Sequence, residues 1–168
     1  MGLPRVEIFT DGGCDPNPGP GGWAAILRCR ERKLEKEIYG ADPDTTNNRM
    51  ELIAVIEALS LLKIPCAVEV TTDSKYLADA FRRGWIEKWK RNGWKTAGKE
   101  PVKNRDLWTR LDELCGIHSV TWKWIEGHAG HPENERCDAM VHEARERLRK
   151  TGRAERVERD VSGGASAG

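Results

Sequence analysis

No window of this chain reaches the roughly eighteen consecutive apolar residues a membrane-spanning helix requires. The opening Met-Gly-Leu-Pro-Arg lacks the apolar core of a secretory leader. Neither a membrane anchor nor export is therefore expected, and the protein is expected to act in the cytoplasm. No Cys-x-x-Cys pair occurs, and the five cysteines, Cys14, Cys29, Cys66, Cys115 and Cys137, are odd in number and scattered. This spacing argues against a disulfide framework and favours free thiols in a reducing compartment. Internal repeats are also missing, and nothing demands an oligomer, so a monomer without an obligate protein partner is the expectation. A chain of 168 residues with 33% charged and 38% hydrophobic residues suits one globular domain with its own core.

The net charge of +1 conceals a segregation. Residues 82–105 contain nine lysines and arginines against two acids, so this window is +7 and the remainder −6. Trp85, Trp89 and Trp94 are interleaved with these cations. A solvated helix whose tryptophans turn back to the core would account for an ordinary charge run. Flat aromatic faces among concentrated positive charges favour a nucleic-acid footprint instead, in which Lys and Arg displace counterions from phosphates.

Periodicity predicts a strand over 5–11 that ends at Asp11, followed by a turn-rich stretch from Gly12 to Gly22. Strands over 23–30 and 34–40 would complete an antiparallel meander. Leu52, Val55, Ile56, Leu59 and Leu62 recur at helical spacing between Thr46 and Lys63, with Thr46 or Asn47 as N-cap and Pro65 beyond the end. The β-rich run 68–72 delivers Asp73 at its carboxyl end, and a short helix starts at Ser74. A helix near 104–115, a strand over 119–125 and a last helix carrying Cys137, Met140, Val141, Ala144 and Leu148 follow, with Asp138 near the start of that last helix. Residues 1–150 are expected to form the domain, and 151–168, polar and rich in small residues, a flexible tail. The element order implies an α/β fold with a five-stranded mixed sheet, three strands antiparallel and then two parallel, flanked by helices. In such sheets, ligand sites gather at the carboxyl ends of strands.

Asp11, Glu51, Asp73 and Asp138 would then converge, although each alone could be a cap or a surface ion. Four carboxylates in one cleft repel unless cations neutralise them. Mg²⁺ suits this all-oxygen set, and Mn²⁺ is equally compatible. Two such ions about 4 Å apart can align a water with a phosphodiester phosphorus and stabilise the leaving oxygen. A zinc module built from His128, His131, Cys137 and Cys115 is a rival reading, but its His-x₂-His-x₅-Cys spacing lacks the paired ligands of structural zinc sites.

Six segments carry a resemblance in chain order: 10–23 (Thr-Asp-Gly-Gly-Cys-Asp-Pro-Asn-Pro-Gly-Pro-Gly-Gly-Trp), 45–52 (Thr-Thr-Asn-Asn-Arg-Met-Glu-Leu), 72–74 (Thr-Asp-Ser), 89–96 (Trp-Lys-Arg-Asn-Gly-Trp-Lys-Thr), 101–108 (Pro-Val-Lys-Asn-Arg-Asp-Leu-Trp) and 127–138 (Gly-His-Ala-Gly-His-Pro-Glu-Asn-Glu-Arg-Cys-Asp). Together they resemble bacterial ribonuclease H of type 1 over about residues 4–148. The resemblance implies a ribonuclease H-like fold and endonucleolytic hydrolysis of the RNA strand of an RNA/DNA hybrid, leaving 5′-phosphate and 3′-hydroxyl ends. It implies that Asp11, Glu51, Asp73 and Asp138 bind the catalytic metal, and that His128 assists proton transfer or product release. It places Cys14, Asn17, Asn47 and Asn48 near the RNA strand, where contacts to 2′-hydroxyls separate RNA from DNA. Thr46 would help grip a DNA phosphate, with Lys88 where an asparagine often completes that pocket. Trp85, Asn104 and Trp108 would line a channel for the DNA strand, and the basic handle at 82–103 would contribute Lys90, Arg91 and Lys95. Glu126 before Gly-His and Lys75 after Asp73-Ser74 also depart from the bacterial pattern. A transposase or junction resolvase could share the fold and the acids, but the hybrid-contact motifs and the handle argue against it.

Overall fold

A computed structural model describes residues 2–162. Three strands, β1 (Arg5–Cys14), β2 (Gly19–Cys29) and β3 (Leu34–Thr45), form the antiparallel meander. The helix α1 (Asn47–Ser60) leads to β4 (Ala67–Thr72), which pairs parallel to β1. Three helices follow, α2 (Lys75–Arg82), α3 (Trp85–Arg91) and α4 (Arg105–Ile117), then β5 (Ser119–Trp124) parallel to β4, the long helix α5 (Pro132–Thr151) and β6 (Val157–Asp160). The strand order is β5-β4-β1-β2-β3-β6.

The central strand β2 shows how the sheet makes two cores. Trp23, Ala25 and Leu27 face the cluster shared with α1, α2 and α4, whereas Ala24 and Ile26 face Cys137, Met140, Val141 and Ala144 of α5. Successive strand residues point to opposite faces, so a strand covered on both sides must be apolar throughout, and 23–27 is. Of the positions predicted at helical spacing, Leu52, Val55, Ile56 and Leu59 are buried on α1, whereas Leu62 lies beyond the helix end at Ser60 and is half-buried. The side chain of Thr46 accepts a hydrogen bond from the Arg49 N–H and caps this helix, as one of the two expected residues.

The sheet has six strands among the described residues, not the expected five. The chain from 151 is also not a free tail throughout: α5 runs to Thr151, and Val157–Asp160 pair antiparallel with β3. Val-Glu-Arg-Asp has no apolar alternation, and for that reason periodicity does not reveal it. Its pairing rests on backbone hydrogen bonds, on ion pairs from Lys36 to Glu158 (3.2 Å) and Arg159 to Glu37 (3.5 Å), and on Val157 against the α5 core. The expectation for 163–168 lies outside the described residues.

Candidate active site

Asp11 lies on β1 where it pairs with β2, Asp73 directly follows β4, and the parallel pairing of β1 with β4 brings these two carboxyl ends side by side. Glu51 is in the second turn of α1. Gly12 allows α1 to approach that closely, since a Cβ there would lie 2.5 Å from the Met50 carbonyl carbon and 2.6 Å from the Glu51 nitrogen. Gly127 plays the same part opposite Asp73, whose Oδ2 would be 2.8 Å from an added Cβ. Asn134 Nδ2 donates to Asp73 Oδ2 at 3.2 Å, and Trp124 Nε1 donates to the Asp73 carbonyl at 3.0 Å. Asp73 is thus held from both sides.

One ligand atom from each of Asp11, Glu51 and Asp73 lies within 4.8 Å of the others. Asp138 stands outside this trio but lines the same open cleft of about 400 Å³, together with His128, Asn47, Asn48 and Ser74. It sits in the second turn of α5, deeper in the helix than its expected place near the start. The electrostatics are those of crowded, half-dry carboxylates. Burial, then the charge of Asp73, pushes the Asp11 carboxyl up to about 7. Burial, followed by Asp11 and Asp73, raises Glu51 well above its ordinary value. Glu51 Oε2 is buried without a hydrogen-bond partner. A hard divalent cation would satisfy that orphaned oxygen and the mutual repulsion together, so the donor set fits the expected metal. Cys115 and Cys137 join no such cluster among the described residues, which leaves the zinc reading without a site.

The expected RNA-side residues are wired together. The Cys14 N–H donates to Asn47 Oδ1 at 2.7 Å and the Asn47 N–H donates to Asn17 Oδ1 at 3.1 Å, tying the turn after β1 to the start of α1. On the other flank, Asn104 accepts from Arg49 at 3.4 Å and donates to the Tyr76 hydroxyl at 3.2 Å. Arg49, which the sequence reading passed over, also holds Asp106 through bonds of 3.0 and 2.8 Å.

Trp108 departs from its expected place on the channel surface. Its ring is fully buried, its Nε1 donates to Tyr76 at 2.9 Å, and Tyr76, Phe81 and Trp89 surround it. It supports the wall from behind, because α4 carries it into the main core. Trp85, Trp89 and Trp94 are half-buried and packed on that core, so the turned-back tryptophan reading and the basic surface hold together. Lys88, Arg91 and Lys95 are exposed, whereas Lys90 lies 3.4 Å from Asp112. Lys75 extends over the Trp124 ring at 5.4 Å, and Glu126 is exposed. Two cleft residues were missed, His142 and Arg145, although both are legible as the fourth and seventh positions after Asp138 on one helix.

Fold and site together define a metal-dependent nuclease. The chain belongs to the RNase H family, whose family model matches residues 4–146. It is 62% identical over 139 residues to the Ribonuclease H of Chelativorans sp. (strain BNC1), covering 83% of this chain and 84% of that one. The fold is similar to the crystal structure of LC9-RNase H1, a type 1 RNase H with the type 2 active-site motif: the TM-score is 0.76 at 30% identity, covering 87% of this chain and 74% of that one. LC11-RNase H1 in complex with RNA/DNA hybrid shares the fold at a TM-score of 0.64 and 23% identity, over 85% of this chain and 98% of that one. No described helix is long and apolar enough to cross a membrane.

Proposed function

We propose that this protein is an endoribonuclease that hydrolyses the RNA strand of RNA/DNA hybrids, using two Mg²⁺ or Mn²⁺ ions bound with the substrate. The observation that carries the metal assignment is the carboxylate trio with its orphaned Glu51 oxygen. Asp11, Glu51, Asp73 and Asp138 would hold the ions. When bound, these supply an activated water and charge stabilisation at the phosphate. The protein's own groups do the rest. Asn134 and Trp124 keep Asp73 oriented, and the network joining Cys14, Asn17 and Asn47 shapes the floor on which the RNA ribose lies, with Asn48 beside it. His128, exposed at the cleft in a left-handed backbone conformation (φ 56°), would carry a proton to the 3′-oxygen as its bond to phosphorus breaks, while the oxygen of the attacking water bonds to phosphorus and completes the 5′-phosphate. Thr46, Trp85, Lys88 and Asn104 face the DNA strand, and Arg91 and Lys95 attract the duplex to an otherwise acidic molecule. LC11-RNase H1, which shares the fold, forms a complex with an RNA/DNA hybrid, and this supports the same substrate class. Five free cysteines accord with a reducing, cytoplasmic setting, and a monomer is taken as the working form.

The decisive assay presents one labelled RNA alone, paired with DNA, and paired with RNA, each with and without EDTA. Cleavage is expected only in the hybrid and only with metal; cutting of free RNA or cutting in EDTA would overturn the assignment. Asp11→Asn should abolish hydrolysis while leaving hybrid binding measurable.

A further inference from the structure

Beyond Asp138, α5 presents two more side chains to the cleft, His142 and Arg145. The Arg145 Nη2 lies 2.9 Å from His142 Nδ1. A guanidinium only donates, so Nδ1 accepts and the ring proton sits on Nε2, which is 3.6 Å from Asp138 Oδ2. Arg145 is therefore aligned by the same helix face that carries Asp138.

Other cations of α5 are engaged. Arg136 pairs with Glu35 and Glu37, Arg147 with Glu155, and Arg149 and Lys150 with Glu146. Arg145 has no such ion pair among the described residues, although its helix neighbour Glu146 is used twice by others. Its stem is seated rather than loose. A Cβ at Gly22 would lie 3.3 Å from Arg145 Cγ and 2.7 Å from the Val141 carbonyl, so glycine on β2 lets this part of α5 settle against the sheet. His142 and Arg145 also border a second open cleft of about 770 Å³, shared with Asp15, Pro20 and Arg149. Arg145 consequently stands where the acid cleft continues into a trough toward the proline-rich turn.

We infer that Arg145, aligned by His142, binds a phosphate of the RNA strand next to the scissile one. The inference rests on the hybrid-nuclease reading above. The strand whose phosphate reaches the acids is the one that is cut, and a side chain on the same cleft rim meets the neighbouring phosphate of that strand. Arginine suits this work because its planar fork stays charged and can grip two phosphate oxygens. An unpaired cation at the rim of an acid cleft also offsets the repulsion that the strand meets as it enters.

The test measures hybrid binding in EDTA, where no cutting occurs, by fluorescence anisotropy over a range of salt concentrations. Arg145→Gln is expected to weaken binding about tenfold, the loss of one charge-assisted contact, and to make the slope of log K against log salt shallower by about one. Arg145→Lys should restore the slope and part of the affinity. A scan with single neutral methylphosphonates along the RNA strand should reveal one position beside the cleavage site that costs the wild type affinity and is silent in Arg145→Gln. Circular dichroism and thermal melting confirm the fold; should Arg145→Gln be unstable, Arg145→Lys must retain the same sensitive position. A wild-type slope together with an unchanged methylphosphonate profile in Arg145→Gln would overturn the inference. Failure of the wild type to cut the hybrid would instead remove the function on which it rests.

Discussion

Replacing Gly12 by alanine should separate the catalytic acids without altering any of their carboxylates. The added Cβ would meet the Met50 carbonyl carbon at 2.5 Å, the Glu51 nitrogen at 2.6 Å and the Met50 oxygen at 2.7 Å. All three are backbone atoms in the first two turns of a capped helix, so no rotamer change can relieve the clash. Ordinary contact begins at 3.4 Å, and α1 must therefore withdraw from β1 by about 1 Å. Overpacking of this kind costs about 1–3 kcal/mol of stability. The displacement carries Glu51 away from Asp11, and a misplacement of about 1 Å at reacting groups can cost on the order of 10²-fold in rate. Urea denaturation gives the first quantity, and single-turnover cleavage of a labelled hybrid at saturating metal gives the second. A loss of rate without loss of hybrid binding in EDTA would locate the damage at the acids. Wild-type stability and wild-type cleavage together in Gly12→Ala would refute the close-approach argument.

Neutralising Arg91 and Lys95 should weaken hybrid binding and make its salt slope shallower by about two, whereas Lys90, already near Asp112, should contribute less; equal effects from all three in anisotropy titrations would count against that distinction. Arg28 bonds Glu35 at 2.6 Å and Glu133 at 3.0 Å, with all three side chains less than a third exposed. Arg28→Met should cost about 1–2 kcal/mol in urea denaturation at pH 7. Burial alone would raise Glu35 and Glu133, but their arginine partners prevail and hold both below the ordinary 4.5. The stability they add is thus present above pH 4.5 and lost as pH falls through their lowered values, so the difference between wild type and Arg28→Met should shrink in acid. A difference that grows as the pH falls below 4.5 would contradict this sign. Ending the chain after Gly152 removes β6 together with the exposed Lys36–Glu158 pair, worth about 0.2–1 kcal/mol, and the Arg159–Glu37 pair, whose carboxylate is largely buried. Melting temperature should fall, and the fall should be smaller in high salt; an unchanged melt would show that β6 adds nothing.

Much of the architecture was legible because its signals are local. The helical spacing of Leu52 to Leu59, the Thr46 cap and the β-run that reaches Asp11 each depend on neighbours a few residues apart, whereas the continuation of that strand to Cys14 comes from its pairing with β2. β6 was illegible for the converse reason, since its strand character comes from the open edge of β3 and from charges on β3 and α5. Trp108 was expected in the channel from the resemblance alone, and a tryptophan has the same appearance in sequence whether its ring faces solvent or, as here, Tyr76 and Phe81.

Which chemistry is possible is written in the residues themselves. They supply carboxylates of the right type at strand ends and in helix turns, glycines where backbones must meet, and a block of positive charge. Which of these groups touch depends on the packed fold. Parallel pairing of β4 with β1 sets Asp73 beside Asp11, and the glycine contact of α1 brings Glu51 to both. The packing of α5 leaves Asp138 just outside the trio, with Arg145 at the rim beside His142 and without an ion pair among the described residues. Adjacency of this kind arises from burial and strand pairing between residues far apart in the chain, and local periodicity carries no record of it.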